Sequence, residues 1–382
     1  MIKIPKVILL IKPEGAFDRR LLLGIAQYAH LHGPWAIFHE VEQRKRNPRT
    51  FKNLGANGII ADIRETPKMV SLFGLDIPII TIGNPALDDS IFPNIISNAD
   101  MISKMGAEHF FERGFKHFGF CNYQDFYWSV HRASAFGFYV NRAGFDCDIY
   151  HRISSQEQLS WEKEQRLLMK WLQALSKPVA IMACNDDFGR QVLEACKLGN
   201  IAVPEEVAVL GVDNDEIICN LTDPPLSSVH LNTEKAGYEA AELLERLMHG
   251  ENMSGQMVIT EPTHIEVRKS TDILAIEDVE VAEAMRFINK NFRFPIQVEN
   301  VAEAIGLSRR CLSTRFKKAI GSTINGEISK TRIKHIKFML SDTRLSIGEI
   351  ASKFGFQGIE KLSRFFYRET GMTPTEYRKK NT

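Results

Sequence analysis

The stretch IMACNDDFGRQVLEACKLGNIAVPEEVAVLGVDNDE (181–216) decides the fold. Val179–Cys184 is an apolar run, Gly189–Leu198 carries its apolar residues at helical spacing, and Val207–Val212 is a second apolar run. Strand, helix and strand in succession place two parallel strands in one sheet with the helix against its face. Outward from this block the same alternation recurs. Lys6–Ile11 (KVILLI) is almost wholly apolar, as a strand buried on both faces must be. The loop Lys12–Asp18 and an amphipathic helix over Arg19–His32 follow it. Trp35–His39, Gly58–Ile60, Pro78–Ile82 and His117–Cys121 read as further strands, and Ala99–Arg113 and His131–Arg142 as helices. Two rounds of this rhythm predict two doubly wound parallel sheets, with a ligand cleft beyond the carboxyl ends of their strands.

Near 250–275 the rhythm changes. Gly250–Gly255 reads as a loop, Met257–Val267 as one strand and Arg268–Ala275 as a linker, and everything beyond Ile276 is helical. Two segments of this tail repeat each other. VAEAIGLSRRCLSTRFKKAIG (301–321) aligns with IASKFGFQGIEKLSRFFYRETG (350–371), which has one extra residue at its turn. Val301 pairs with Ile350, Ala302 with Ala351, Gly306 with Gly355, Leu312 with Leu362 and Phe316 with Phe366. Each copy is a helix, a glycine turn and a second helix, the helix-turn-helix pattern. Its spaced apolar positions belong to a core. The exposed face of each second helix is what can reach base edges: Ser308, Arg309, Arg310, Ser313 and Thr314 in the first copy, and Gln357, Glu360, Lys361 and Arg364 in the second. Lys317, Lys318, Arg332, Lys334 and Arg368 are placed to neutralise phosphates, which adds affinity without sequence information.

Charge agrees with that division. The chain of 382 residues has a net charge of +1, yet residues 276–382 hold 20 Lys+Arg against 12 Asp+Glu. Residues 1–275 hold 28 against 35, so an acidic body carries a basic tail suited to a polyanion. The apolar run near the N-terminus is too short for a membrane span and lacks a signal-peptide cleavage pattern, which predicts a cytoplasmic protein. The six cysteines, at 121, 147, 184, 196, 219 and 311, include no CxxC pair; they fit free thiols in a reducing compartment rather than a metal or disulfide scaffold. There is no phosphate-cradling glycine loop and no nucleophile elbow, so neither an enzyme nor a bound cofactor is expected.

The tail resembles the AraC-type regulator domain: two helix-turn-helix units bridged by a long helix (about 326–341) and closed by GMTPTEYRKK (371–380). That resemblance implies two recognition helices entering successive major-groove turns, about 34 Å apart. Lys361 and Leu362 depart from the family's usual aromatic residues, which leaves the second half-site's preference open.

The block 181–244 resembles the core shared by lac-repressor-type regulators and periplasmic sugar-binding proteins, and the likeness extends over about 5–270. Sensor first and AraC-type tail last is the order of the xylose operon regulators, whose opening stretch KVILLIKPEGAFDRRLLLGIAQYAHLHGPWAIF also resembles. The resemblance implies an α/β two-lobed, doubly wound sensor over 1–270, a linker at 271–278, and an all-α double helix-turn-helix domain over 279–382. It carries three ligand-contacting positions onto this chain: Arg132 of the R-x-x-(G/A)-F helix start, Asn185 of the ND strand end, and Asp213 of the VGxD strand end. Guanidinium, amide and carboxylate groups pair well with vicinal hydroxyls, and aromatic rings accept the C–H face of a sugar. Asn185 and Asp213 can alternatively cap the helices that follow them, and Arg132 can form a surface pair. Phe17 and Asp18 in the first strand-to-helix loop, and Tyr127 and Trp128 ahead of the Arg132 helix, are further cleft candidates, whereas Asp186 and Asn214 can simply shape the loops.

The resulting expectation is a homodimeric, D-xylose-responsive activator that binds operator DNA and contacts RNA polymerase. A sugar-processing enzyme, or a regulator whose sensor answers a purine or a protein, are the competing classes.

Overall fold

The computed structural model describes residues 4–39, 53–63, 76–83, 92–152, 160–253, 255–273, 276, 278–343 and 345–381. Ser254 of the expected loop, and Leu274 and Ala275 at the end of the expected linker, lie outside them. The chain forms two compact units, one of Met1–His109 with Lys116–Asp272, the other of Phe110–Phe115 with Ile273–Thr382.

The first unit holds two six-stranded sheets. One sheet contains β1 (Lys6–Leu10), β2 (Ala36–His39), β3 (Gly58–Asp62), β4 (Ile79–Ile82), β5 (Asn94–Ser97) and β11 (Met257–Thr260) in the order β11-β5-β4-β3-β1-β2, all parallel. The other contains β6 (His117–Tyr123), β7 (Cys147–Arg152), β8 (Val179–Ala183), β9 (Val207–Val212), β10 (Ser227–Leu231) and β12 (Pro262–Glu266) in the order β12-β10-β9-β8-β6-β7. Only β12 in that sheet runs antiparallel to its neighbour. All residues of β8 and β9 are buried, because helices cover both faces of these central strands.

Among the described residues, seven helices serve these sheets: α1 (Ala16–His32), α2 (Ala99–Phe111), α3 (Tyr127–Arg142), α4 (Trp161–Ala174), α5 (Asp186–Leu198), α6 (Glu216–Leu221) and α7 (Thr233–Met248). α7 leaves the second sheet to pack on α1 and on the core of the first, through Ala236, Ala240, Ala241 and Leu244. The two helices cross so closely that a Cβ on Gly24 would stand 1.9 Å from the Glu234 carbonyl oxygen, and one on Gly237 would stand 2.1 Å from that of Leu21. Glycine is required at both places.

Met257–Val267 is two strands in different sheets, not one. The chain changes lobe at Glu261, where the Glu261 N–H donates to Asn232 Oδ1 at 2.7 Å, and Pro262 opens the next strand with no N–H to offer a ladder. Asn98 and Asn232 mark the other two crossings between the lobes. The Asn98 amide donates to both Glu261 carboxylate oxygens, at 3.0 and 2.9 Å, so the crossing segments are tied together. The expected linker also begins later than its composition suggests. Ser270 and Thr271 are buried, Ser270 Oγ donating to the Val209 carbonyl and Thr271 Oγ1 to Ser227 Oγ.

The second unit is helical: α8 (Val279–Asn291), α9 (Val298–Ile305), α10 (Arg309–Ile320), α11 (Ile324–Asp342), α12 (Ile347–Lys353), α13 (Ile359–Thr370) and α14 (Pro374–Asn381). The repeat read from sequence is two separate cores. Val301, Ala302, Leu312 and Phe316 pack with Met285 and Ile288 in one, and Ile350, Ala351, Leu362 and Phe366 pack with Ile336 and Leu340 in the other. α11 feeds both, through Ile324 and Ile328 at one end and Ile333, Ile336 and Leu340 at the other. Gly306 (φ 73°) and Gly355 (φ 67°) make the turn in each copy, in the left-handed region that side-chain-bearing residues avoid.

Candidate functional site

The two lobes enclose a cavity of about 370 Å³. The first lobe lines it with Phe17, Asp18, Ile82 and Ser97, and the second with Tyr127, Trp128, His131, Arg132, Asn185 and Asp213. Every cleft residue expected from sequence therefore borders one space. Two expectations shift in detail: α1 begins at Ala16, so Phe17 and Asp18 lie in its first turn rather than in a loop, and Tyr127 and Trp128 open α3 rather than precede it.

Arg132 is buried, which excludes a plain surface pair. Its Nη1 donates to the Cys184 carbonyl at 2.5 Å and its Nη2 to Ser97 Oγ at 3.1 Å, so one side chain reaches the ends of strands in both lobes. The guanidinium lies 5.0 Å from the Trp128 ring centroid and 3.9 Å from Asp213 Oδ1. Asn185 does cap α5, its Oδ1 accepting from the Phe188 N–H at 3.0 Å, and it borders the cavity as well. The cap of α6 is Asp215 rather than Asp213, its Oδ1 accepting from Ile217 N–H at 3.1 Å.

Asp213 follows β9 in an unusual backbone. Its φ is 99° and that of Asn214 is 49°, two successive left-handed residues that are not glycine. Such strain persists where neighbours fix it. Asn214 N–H donates to Ser228 Oγ at 3.0 Å, Arg268 donates to Asn214 Oδ1 at 2.9 Å, and Asp215 N–H donates to Asp186 Oδ2 at 2.6 Å. Asp186 also accepts from Ser228 Oγ at 2.5 Å. Burial pushes the Asp186 carboxyl well above the usual carboxylate range, and the nearby Asp213 charge adds to the effect. Asp186 and Asn214 thus shape the turn that presents Asp213.

The cavity is lined by two carboxylates (Asp18, Asp213) and a guanidinium (Arg132, 3.9 Å from Asp213) among aromatic rings (Phe17, Tyr127, Trp128). This suits a small polyhydroxylated molecule, whose hydroxyls donate to the carboxylates and accept from the guanidinium. Sequence reasoning missed Ser97, which sits on the short strand Asn94–Ser97 with polar residues at both ends, and His131, which has no distinguishing context. Among the described residues no group of three or more His, Cys, Asp or Glu could hold a metal ion, and no helix is long and apolar enough to cross a membrane.

In the second unit, Ser308, Arg309, Arg310, Ser313 and Thr314 are exposed along the start of α10, as are Gln357, Glu360, Lys361 and Arg364 at the start of α13. Ser308 caps α10, accepting from the Cys311 N–H at 3.3 Å. Arg309 pairs with Glu299 at 2.6 Å, Arg364 lies 3.9 Å from Glu360, and Lys361 donates to Gln357. Exposed pairs of this kind contribute roughly 0–1 kcal/mol, so a phosphate or base edge can displace them.

Arg332 is a correction. Far from meeting phosphates, it is buried: Nη1 donates to the carbonyls of Phe292 (2.9 Å) and Phe294 (2.6 Å), and Nη2 to that of Phe354 (2.7 Å). Its guanidinium also lies 4.6 Å from the Phe356 ring centroid. Lys334 is held by Glu112 at 2.8 Å and Arg368 by Glu369 at 2.7 Å, while Lys317 and Lys318 stand exposed in the last turn of α10.

A two-lobed α/β sensor followed by paired helix-turn-helix units defines a DNA-binding transcription regulator of the AraC type. Three family models match in succession: the XylR N-terminal domain over residues 6–100, a periplasmic binding protein-like domain over 107–271, and a helix-turn-helix domain over 301–380. The chain is 32% identical to the xylose operon regulatory protein of Haemophilus influenzae over 98% of each chain. It is 30% identical to that of Escherichia coli K12, over 99% of this chain and 97% of the relative. A solved structure described as the xylose-binding transcription activator XylR matches 100% of this chain and 99% of its own, with a TM-score of 0.64 and 29% identity. The chain belongs to the family of xylose operon regulatory proteins.

Proposed function

We propose that the protein is a cytoplasmic, homodimeric activator that binds D-xylose in the cleft and so changes how its helix-turn-helix units engage promoter DNA. The observation that carries this reading is the meeting of Arg132, Asn185 and Asp213 with Phe17 and Trp128 around one cavity. Paired polar groups opposite rings are what a pyranose requires, and the xylose-binding regulator matched along the whole chain supports a pentose. The sugar drives the switch only by its preference for one arrangement of the lobes, so its effect on DNA affinity is bounded by that preference. Activation proceeds through contact with RNA polymerase.

The test is footprinting on DNA upstream of xylose-catabolic genes, with and without D-xylose. The expected result is protection of two adjacent half-sites per protomer that strengthens or moves when the sugar is added. Protection indifferent to D-xylose, and equally to other pentoses and hexoses, contradicts the proposal. Sedimentation of the free protein tests the dimer.

A further inference from the structure

The turn that presents Asp213 is held from two sides. Ser228, Arg268 and Asp186 hold it from within its own lobe. From the opposite lobe, Arg20 on α1 donates through Nη1 to the Asp213 carbonyl at 2.8 Å and through Nη2 to the Asn214 carbonyl at 2.9 Å. Its neighbour Arg19 donates to the Asp215 carboxylate at 2.5 Å. Two successive left-handed residues bring their carbonyl oxygens onto one guanidinium, a geometry that the planar fork of arginine meets and a lysine ammonium does not. The Arg20 charge also helps to hold the half-buried His230 ring neutral, after burial itself.

We infer that Arg20 is a positioning residue for the sensor: by gripping the Asp213–Asn214 backbone across the cleft, it couples lobe closure to the posture of the Asp213 carboxylate. This rests on the cleft being the sugar site. Arg20 does not line the cavity, and its action on a ligand is through Asp213. With the lobes apart the two carbonyls lose this donor, and the strained turn is left to its own lobe. Bound sugar and the Arg20 grip therefore favour the same closed arrangement. Loss of the grip should appear as faster release of sugar rather than slower capture.

The test uses the full-length protein and the variants Arg20→Ala and Arg20→Lys, with Arg19→Ala as a second probe of the same grip. Three quantities are read: D-xylose affinity and release rate, melting temperature without sugar, and amide hydrogen exchange over residues 213–216. Both Arg20 variants are expected to bind D-xylose about tenfold or more weakly through faster release. Their sugar-free melting temperature should fall by less than the affinity loss corresponds to, and the Asn214 and Asp215 amides should exchange faster. Wild-type affinity in Arg20→Ala, or full rescue by Arg20→Lys, overturns the inference. So does an affinity loss matched by an equal loss of sugar-free stability. If wild type itself binds no sugar, the effector reading fails; the exchange measurement then decides separately whether Arg20 holds the turn, unchanged exchange overturning it. Should Arg20→Ala fail to fold, Arg19→Ala and Arg20→Lys carry the same comparison.

Discussion

The Arg132 guanidinium stands 3.9 Å from the Asp213 carboxylate in the lining of the cleft, with the Arg132 side chain only 3% exposed and that of Asp213 17% exposed. The separation is too long for a hydrogen bond and short enough for strong attraction in a poorly solvated site. A ligand hydroxyl bridging the two donates to one partner and accepts from the other, gaining charge-assisted bonds at both ends.

Asp213→Asn keeps the shape and removes the charge. It is expected to weaken D-xylose binding by roughly 1.5–3 kcal/mol, the worth of hydrogen bonds to a charged group. Basal DNA binding, which depends on the other unit, should hold. Titration calorimetry and a mobility-shift assay on the same preparation check both halves. An unchanged sugar response removes Asp213 from the site.

Arg309→Ala and Arg364→Ala act on the other function. Each is expected to weaken specific DNA binding by about 1–3 kcal/mol and to relax selectivity at its base pair, leaving sugar affinity unchanged. Competition binding against mutated operator sequences measures this. A uniform loss on all sequences with a shallower salt dependence would instead make these arginines phosphate contacts.

Arg332→Met replaces a phosphate contact in the sequence reading and a buried keystone in the structure, and the two give opposite outcomes. The substitution leaves the carbonyls of Phe292, Phe294 and Phe354 without their donor, at a cost of about 2–4 kcal/mol. The helix-turn-helix unit should melt at lower temperature even without DNA. A melting curve like wild type, with only the salt slope of DNA binding reduced, would restore the phosphate role.

His335 stacks on Phe292 with ring centroids 3.9 Å apart and planes 7° from parallel. Burial, with the Lys334 and Arg293 charges, lowers its pKa from its ordinary 6.5 to about 4. His230 is lowered to about 4 as well. Between those values the unfolded chain binds protons that the folded chain refuses, so stability present above pH 6.5 is lost as pH falls toward 4. His335→Phe, which keeps the stack, is expected to flatten part of this slope and to leave the His230 share. Denaturant midpoints at pH 7.5, 6 and 5 measure it; an unaltered slope rejects the assignment.

Much of this is legible in the sequence. Apolar runs such as Val207–Val212 are strands because the central positions of a parallel sheet are buried on both faces, and the paired Ala and Phe residues of 301–321 and 350–371 are core because helical spacing gathers them on one face. Asn94–Ser97 was not legible: four residues with polar ends carry too little pattern. The division of Met257–Val267 between two sheets depends on Asn98 and Asn232, far away in the chain. Arg20 and Arg332 reveal the same limit. Arg332 reads as a phosphate contact and Arg20 has nothing to single it out, because the carbonyls that capture them come from segments that sequence alone cannot bring near.

The most direct test of the sensor is a melting curve of the full-length protein against D-xylose, other pentoses, common hexoses and purines, with Asp213→Asn alongside. A ligand at 100 times its dissociation constant stabilises by about 2.7 kcal/mol. The expected result is a selective rise in the sensor transition with D-xylose that the variant loses. A rise with a purine alone, no rise with any sugar, or an equal rise in the variant would contradict the cleft built from Arg132, Asn185 and Asp213 as the site of a pentose effector.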